Sequence, residues 1–332
     1  MTEPSGPHPT LSIVVPCFNE ADSLDRLFER LERVLADLGL PYELVCVDDG
    51  SRDDTLARLA AHHARNPAIK VIGLSRNFGK EIALTAGIDF ATGDAVVPID
   101  ADLQDPPELI AQLVARWREG YDVVYATRRT RQGEGFFKRA TANAFYRIID
   151  RVSDVPIPRD TGDFRLMDRR VVQALARLPE RTRFMKGLFA WVGFRQAAVV
   201  YDREPRFAGR TTWNYWRLWN FALDGITSFS TVPLKVWSYL GGAISAFALV
   251  LAGIIVIRGP DVEAPGYASL MVAVLFLGGI QLLSLGVLGE YLGRVYDEVK
   301  HRPLYLVRDT WGVPQSAVPP GGPATPVGEA RR

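Results

Sequence analysis

Three carboxylates crowd into six residues where an apolar, strand-like run ends. The segment VPIDADLQDPPE, residues 97–108, carries Asp100, Asp102 and Asp105. Two like charges about 4 Å apart repel by roughly 4 kcal/mol at an effective dielectric near 20, so this cluster needs a cation. Since residues two apart in an extended chain face the same side, Asp100 and Asp102 can share one Mg²⁺ or Mn²⁺ with substrate phosphates. A solvated turn is the alternative interpretation of the same pattern.

A second acidic motif, VDDGS at residues 47–51, follows another apolar run. A carboxylate at the end of a strand can accept hydrogen bonds from a nucleobase N–H or from ribose hydroxyls. Beside a metal-diphosphate site two strands away, Asp48 and Asp49 therefore indicate a nucleotide ligand. A capped helix start after a tight turn explains the motif equally well.

Several other binding and catalytic motifs are absent from the sequence. No GxGxxG follows the first apolar run, which disfavours a dinucleotide site, and no GxSxG indicates a hydrolase. The segment GLSRNFGK, residues 73–80, has five residues between its glycines and continues with Glu81, so it fails the phosphate-loop pattern. The four histidines and two cysteines show no zinc-ligand spacing, and we expect Cys17 and Cys46 to be buried thiols.

Strand-like and helical patterns alternate along residues 11–127. The apolar runs are LSIVVP, YELVCV, AIKVIGL, DAVVPI and YDVVYA, and the helical patterns between them end near residues 38, 65, 90 and 119. This alternation predicts an α/β fold with a mostly parallel sheet and helices on both faces. In such sheets ligands bind beyond the carboxyl ends of the strands.

The residues at those strand ends are the candidate nucleotide contacts. They are Pro16, Asn19 and Glu20 after the first strand, Asp48, Asp49 and Ser51 after the second, Arg76 and Lys80 after the third, and Asp100 and Ala101 after the fourth. Two of the polar side chains are also predicted to cap helices. Asn19 should cap the first helix, and Asp105 the helix that Pro106 and Pro107 begin.

The formal net charge of +1 gives no reason to expect nucleic-acid binding. Basic residues nevertheless gather between residues 128 and 210, where an anionic lipid head group would arrive, and arginine suits bidentate phosphate contact. Solvated surface charge is the alternative explanation for most of them. In DTGDFRLMD, residues 160–168, an acid beside Arg165 indicates either a site or a structural ion pair.

Two apolar runs, residues 236–257 and 268–289, contain no charged side chain. Each is long enough to span the ~30 Å hydrocarbon core as a helix, and the flanking basic residues place both chain ends in the cytoplasm. Two buried helices of a soluble core are the alternative. Just before the runs, the aromatic segment 213–229 carries Trp213, Trp216 and Trp219 at a spacing of three, which favours a helix lying in the bilayer interface over a core helix.

Together these motifs resemble the polyprenyl-phosphate glycosyltransferases of glycosyltransferase family 2, close to the bactoprenol glucosyltransferases and related to dolichol-phosphate mannose synthases. The similarity covers about residues 11–311, through VVPCFNE, VDDGS, LSRNFGKE, DADLQDPPE, DTGDFRLMDR, RFMKGLFAWVGF, RFAGRTTWN and the paired apolar runs. One departure is Thr212, where many relatives carry a lysine, with Arg210 able to supply the charge instead.

The resemblance implies a GT-A catalytic domain that binds a nucleotide sugar and Mg²⁺ or Mn²⁺. It places the nucleoside at Asp48 and Asp49, and the metal at Asp100, Asp102 and Gln104. Asp163, Arg165 and Asp102 become the catalytic candidates. The candidates for the acceptor phosphate are Arg128, Arg139, Arg206 and Arg210.

The implied reaction is an inverting transfer of a hexose to polyprenyl phosphate, in this interpretation glucose from UDP-glucose to undecaprenyl phosphate. A phosphate monoester has a second pKa near 6, so the acceptor is largely dianionic at neutral pH and a general base is optional. We therefore expect Asp163 to orient the sugar or Arg165, or to stabilise positive charge developing on the sugar. The resemblance also implies a homo-oligomer.

Two other functions fit parts of the sequence. A processive glycan synthase should carry a QxxRW motif and more spans, and the sequence has neither. A membrane-anchored nucleotide-sugar sensor, or a partner in lipid-linked sugar translocation, would bind the same ligands without turnover. A transfer assay separates these alternatives.

The expected organisation has five regions. These are a disordered lead at 1–10, a GT-A domain at 11–210, an interfacial helix at 211–231, two transmembrane helices within 232–293, and a cytoplasmic tail at 294–332 that is disordered from about 313. We expect no secretory signal at the N-terminus, because it has neither a basic nor an apolar region of the required kind. The expected location is the cytoplasmic membrane, as a multi-pass protein.

Overall fold

One mixed sheet of eight strands, with helices on both faces, forms the centre of the protein. In the computed structural model the residues described are 11–128, 161–201 without 179, 182 and 184, isolated positions between 234 and 250, and 266–313. The strands are β1 (Leu11–Cys17), β2 (Tyr42–Asp48), β3 (Ile69–Leu74), β4 (Ala95–Pro98), β5 (Val123–Arg128), β6 (Thr161–Asp168), β7 (Gln196–Tyr201) and β8 (Val307–Trp311). Their order across the sheet is β7-β5-β6-β4-β1-β2-β3-β8.

The strands β1 to β4 run parallel to one another, and β5 and β7 pair in parallel as well. Only β6 and β8 run antiparallel to their neighbours within the described residues. The prediction of a mostly parallel sheet is confirmed, and the fold is of the GT-A-like α/β type. Cys17 lies opposite Asp48, and Asp48 opposite Gly73, so the carboxyl ends of β1, β2 and β3 meet at one edge.

Helices cover both faces of the sheet. They are α1 (Ala21–Leu38), α2 (Thr55–Arg65), α3 (Lys80–Phe90), α4 (Ile110–Arg118), α5 (Arg169–Leu175) and α6 (Met185–Trp191), with a 3-10 helix at Pro107–Leu109. A further helix, α7 (Tyr267–Val299), precedes β8. Alternate residues of β1 point to opposite faces, so Ile13 packs in the core with α1 and α4, and Val14 in the core with α3, α5 and α6. Cys17 and Cys46 are buried free thiols, as expected.

The first helix follows its predicted apolar stripe, but its start differs from the prediction. Leu24, Leu27 and Phe28 are buried against the sheet. The helix begins at Ala21, and Asn19 precedes it with a φ of +55°. The prediction that Asn19 caps this helix is wrong, because its side-chain oxygen accepts a hydrogen bond from the backbone N–H of Arg52 at 2.8 Å.

A strand near the end of the chain extends the sheet beyond β3. In β8, Thr310 lies opposite Ile72, and the pairing is antiparallel. The residues before β8 are also attached to the domain, since the Tyr305 hydroxyl donates to Asp89 at 3.0 Å and the Ser75 N–H donates to the Leu306 carbonyl at 2.9 Å. This strand lies in the segment 294–332 that was predicted to be a tail outside the catalytic domain, so β8 was not predicted.

The helix α7 contains a segment that is long and apolar enough to cross a membrane, as judged by length and composition. This segment, Phe276–Val299, has a mean hydropathy of 1.3 and is not buried inside the protein. It overlaps the predicted span 268–289, while α7 itself continues past the end of that span. In the other predicted span, the described positions from 239 to 248 belong to a shorter apolar helix. Residues 251–257 and the predicted interfacial segment 211–231 lie outside the described residues.

Candidate active site

Two buried carboxylates of the candidate site lie at the carboxyl end of β2, where Asp48 is the last residue of the strand and Asp49 follows it. The backbone N–H of Ser51 lies 3.3 Å from both carboxylate oxygens of Asp48. The carboxylate of Asp49 accepts hydrogen bonds from the N–H groups of Phe78 at 2.7 Å and Gly79 at 2.9 Å. Burial raises the pKa of both acids, and these hydrogen bonds oppose the increase. Asp49 thus fixes the loop that precedes α3, in addition to its predicted place at the nucleoside.

The glycine of VDDGS permits a close approach between the loops that follow β2 and β3. Gly50 has a φ of +66°, and a Cβ atom there would lie 2.5 Å from the carbonyl carbon of Arg76. Only glycine satisfies both conditions without strain. Arg76 itself stacks over the Phe78 ring, 4.1 Å from its centroid, and is exposed.

The loop after β1 is joined to the loop after β2. Asn19 N–H donates to the Ser51 hydroxyl, and Glu20 N–H donates to the Thr55 hydroxyl, both at 2.9 Å. Pro16 is the penultimate residue of β1 and is half-buried. The structure therefore brings the predicted residues at the ends of β1 and β2 together at one edge of the sheet.

The DxD motif follows β4 at the same edge. Asp102 is 7% exposed, and its carboxylate accepts a hydrogen bond from the Gln104 N–H at 3.1 Å. Between them Leu103 has a φ of +59°, a strained conformation for a non-glycine residue, which occurs most often at functional sites. Ala101 is buried behind the two acids.

These residues fit the donor set of a divalent cation that is shared with a diphosphate. Asp100 and Asp102 offer carboxylate oxygens and Gln104 an amide oxygen, the ligands preferred by Mg²⁺ and Mn²⁺. Among the described residues no group of three or more acidic, histidine or cysteine side chains is positioned to hold a metal. The remaining ligands would therefore come from the substrate and from water.

The prediction that Asp105 caps the following helix is wrong. The 3-10 helix begins at Pro107, with Pro106 at the cap position and no side-chain cap. Asp105 is instead buried, and it accepts a short hydrogen bond from the Tyr201 hydroxyl at the end of β7. Since Asp105 is three residues from Asp102, this bond fixes the loop of the DxD motif to the other half of the sheet.

A lysine ammonium joins the DxD motif to Asp163. Lys80, the first residue of α3, lies 2.8 Å from a carboxylate oxygen of Asp100 and 2.7 Å from Oδ2 of Asp163. Burial would lower the pKa of Lys80, but the two carboxylates raise it well above its usual range. Burial likewise opposes ionisation of Asp163, but Lys80, Lys186 and Arg165 hold the pKa of this carboxyl well below its usual range.

Arg165 supports this cluster through the backbone. It donates to the carbonyl oxygens of Gly162 at 2.9 Å and Asp163 at 3.4 Å, and its guanidinium lies 3.9 Å from the centroid of the Phe189 ring. Burial lowers its pKa to about 10. The Asp163 carboxylate is hydrogen-bonded to Lys80, a contact that the sequence analysis did not predict.

Sequence reasoning missed two charged residues beside Asp163. Glu81 follows Lys80 at the start of α3, and Lys186 is the second residue of α6. Burial, followed by the charge of Asp163, raises the pKa of Glu81 to about 8. The only signal in the sequence was the presence of these residues in the quoted motifs LSRNFGKE and RFMKGLFAWVGF.

The acceptor-phosphate candidates are only partly visible. Arg128 is the last residue of β5 and lies opposite Tyr201 of β7. Arg139, Arg206 and Arg210 lie outside the described residues, so their proximity to Asp163 stays a prediction.

Comparison with known proteins agrees with this geometry. A family model described as glycosyl transferase family 2 matches residues 12–176, and one described as the GtrB C-terminal hairpin matches residues 232–295. The "Uncharacterized glycosyltransferase sll0501" of Synechocystis is 65% identical over 91% of this chain and 96% of its own length. The "Bactoprenol glucosyl transferase" of Shigella phage SfV is 46% identical over 90% of this chain and 98% of its own length.

Both relatives match this chain along about nine tenths of its length. The chain belongs to glycosyl transferase family 2 and is a glycosyltransferase.

Proposed function

We propose that this enzyme transfers a hexose, glucose from UDP-glucose, to polyprenyl phosphate at a membrane surface. The observation that carries the proposal is the bridge from Asp100 through Lys80 to Asp163, because it supports a diphosphate site at Asp100 with a sugar site at Asp163 beside it. The relative from Shigella phage SfV is a bactoprenol glucosyl transferase by name, which supports both the sugar and the lipid acceptor.

The proposed reaction is a single displacement at the anomeric carbon. An oxygen of the acceptor phosphate forms the new bond to this carbon while the bond to the diphosphate breaks, and the nucleoside diphosphate leaves with the electron pair. Attack from the opposite side inverts the configuration. Because the acceptor is already largely dianionic at neutral pH, no proton has to be removed from it.

The residues of the chain have separate tasks in this reaction. Asp100, Asp102 and Gln104 would hold Mg²⁺ or Mn²⁺, and a bound cation neutralises charge on the departing diphosphate. Asp48 and Asp49 would contact the nucleoside. A carboxylate whose pKa is as low as that of Asp163 is a weak base, which supports an orienting or charge-stabilising role for it.

Attachment to the membrane follows from the acceptor. Each buried methylene contributes roughly 0.8 kcal/mol, so a polyprenyl tail stays in the bilayer and the enzyme must reach its head group there. The apolar, unburied surface of α7 supports one transmembrane helix. We also propose a second transmembrane helix at 236–257 and an interfacial helix at 211–231. The proposed protein is multi-pass with cytoplasmic ends and forms a homo-oligomer.

The test is transfer by the full-length enzyme in membranes. Radiolabelled UDP-glucose, Mn²⁺ and undecaprenyl phosphate should give a labelled lipid that enters the organic phase, and Asp102→Asn should not. GDP-mannose and UDP-N-acetylglucosamine serve as competing donors. If no donor yields a sugar lipid although nucleotide sugars bind, the sensor or translocation alternative holds, whereas a labelled polymer identifies a processive synthase.

A further inference from the structure

Two buried carboxyl oxygens near the DxD motif have no hydrogen-bond partner among the described residues. They are Oε2 of Glu81 and Oδ1 of Asp163. Buried polar atoms are nearly always hydrogen-bonded, because a buried group without a partner is unfavourable. Two such atoms in one cluster therefore indicate a ligand that donates hydrogen bonds to them.

The two carboxyls differ in charge at neutral pH. The carboxyl of Glu81 lies near the charges of Asp163, Lys80 and Lys186, and it accepts a hydrogen bond from the backbone of Met185. Burial and the negative charge of Asp163 outweigh the two lysines and raise the pKa of Glu81 to about 8. Asp163 stays ionised, because Lys80 holds its other oxygen at 2.7 Å. The site thus contains one neutral carboxyl and one carboxylate.

This pair selects the chemistry of its ligand. A neutral carboxyl both donates and accepts hydrogen bonds, while a carboxylate only accepts them. An anionic ligand would be repelled by Asp163, and the cationic positions are already taken by Lys80 and Lys186. A sugar hydroxyl, which is neutral and can donate and accept at once, satisfies both atoms.

We propose that Glu81 and Asp163 form a subsite for a hydroxyl group of the donor sugar, with Glu81 as a specificity-determining residue. The inference rests on the proposed function, because it takes a nucleotide sugar as the donor. It adds to that function a residue that distinguishes the nucleotide sugar from the bare nucleoside diphosphate.

The test compares UDP-glucose with UDP on the full-length, detergent-solubilised enzyme in Mn²⁺, by calorimetry. Glu81→Ala should lower the affinity for UDP-glucose by about 10- to 100-fold, the range expected when a buried polar group loses its hydrogen-bond partner. The affinity for UDP should stay within about twofold of the wild-type value. Glu81→Gln keeps the shape and one acceptor, so we expect a smaller loss of about threefold at pH 7. Glu119→Gln, an exposed carboxylate at the end of α4, is the matched control and should change neither affinity.

Three outcomes decide the proposal. A selective loss of UDP-glucose affinity in both Glu81 variants supports the subsite. Unchanged affinities for both ligands overturn it. An equal loss of affinity for both ligands also overturns it, since that result would mean that Glu81 only supports the fold. Wild-type transfer measured on the same preparation reports on the proposed function separately, because the affinity ratio does not depend on turnover.

Discussion

The ammonium of Lys80 lies 2.7 Å from Oδ2 of Asp163, so the first turn of α3 is tied to β6. The same ammonium also neutralises Asp100. It would therefore compete with the proposed divalent cation for the carboxylate of Asp100.

Replacing this lysine should separate metal binding from catalysis. In Lys80→Met the competing cation is gone, so Mn²⁺ alone should bind about tenfold more tightly, the equivalent of one charge-assisted hydrogen bond. Transfer should nevertheless fall about 100-fold or more, because Asp163 loses its partner and the diphosphate loses a cation. Electron paramagnetic resonance titration of free Mn²⁺ and the transfer assay measure the two quantities. Arg33→Met, at an exposed pair on α1, is the control, and unchanged Mn²⁺ affinity in Lys80→Met would contradict the interpretation.

Asparagine variants of Asp102 and Asp105 should differ in their effects on transfer and on stability. Asp102→Asn should reduce Mn²⁺-dependent transfer by 100-fold or more with little change in melting temperature, since it removes a metal ligand. Asp105→Asn should keep its dependence on Mn²⁺ but lower the free energy of unfolding by about 1–3 kcal/mol, because the buried hydrogen bond from Tyr201 is weakened. In Tyr201→Phe combined with Asp105→Asn the losses should be less than additive. Equal loss of transfer in the two aspartate variants would show that the division of roles is wrong.

The close approach at Gly50 should be needed for nucleotide binding. Gly50→Ala places a methyl group 2.5 Å from the backbone of Arg76 in a left-handed conformation, so one of the two loops must move. We expect UDP affinity to fall about tenfold or more, measured by calorimetry. Gly39→Ala, which also has a positive φ but no atom within 4 Å of the added methyl group, controls for strain alone.

The carboxyl of Glu81 should make the stability of the enzyme depend on pH. Its pKa is raised from 4.5 to about 8, so between these values the folded protein holds a proton that the unfolded chain has lost. The free energy of unfolding should therefore fall as pH rises through this window, by up to about 1.4 kcal/mol per pH unit, and level off above it. Glu81→Gln should flatten this slope. Melting temperatures of the solubilised protein from pH 5 to 9 measure it, and parallel slopes for wild type and variant would count against the pKa assignment.

The elements with strong local patterns could be predicted from the sequence. The stripe of Leu24, Leu27 and Phe28 specified α1, and the alternation of apolar runs and helices specified the order of β1 to β5. The ends of these strands could also be located, because polar residues follow each one directly. Lys80 and Asp100 were both expected at these strand ends, and the structure brings their side chains into contact.

The contacts that depend on distant parts of the chain could not be predicted in this way. Asp105 precedes two prolines and has the local signature of a cap, but its partner Tyr201 is 96 residues away. Asn19 likewise has the local signature of a cap, but its side-chain oxygen accepts a hydrogen bond from the loop after β2. The strand β8 is five residues long and joins β3 only because the chain returns to the domain after α7, which no local pattern encodes.

The positions of β7 and β8 have a mechanical consequence. These strands are the two outermost members of the sheet, and the segment between them contains both apolar runs. Seven spacings of about 4.8 Å separate the two edges, so the points of departure and return are roughly 34 Å apart. In the proposed topology, with both apolar runs in the bilayer, the catalytic domain would be connected to the membrane through both edges of its sheet and not through a single point.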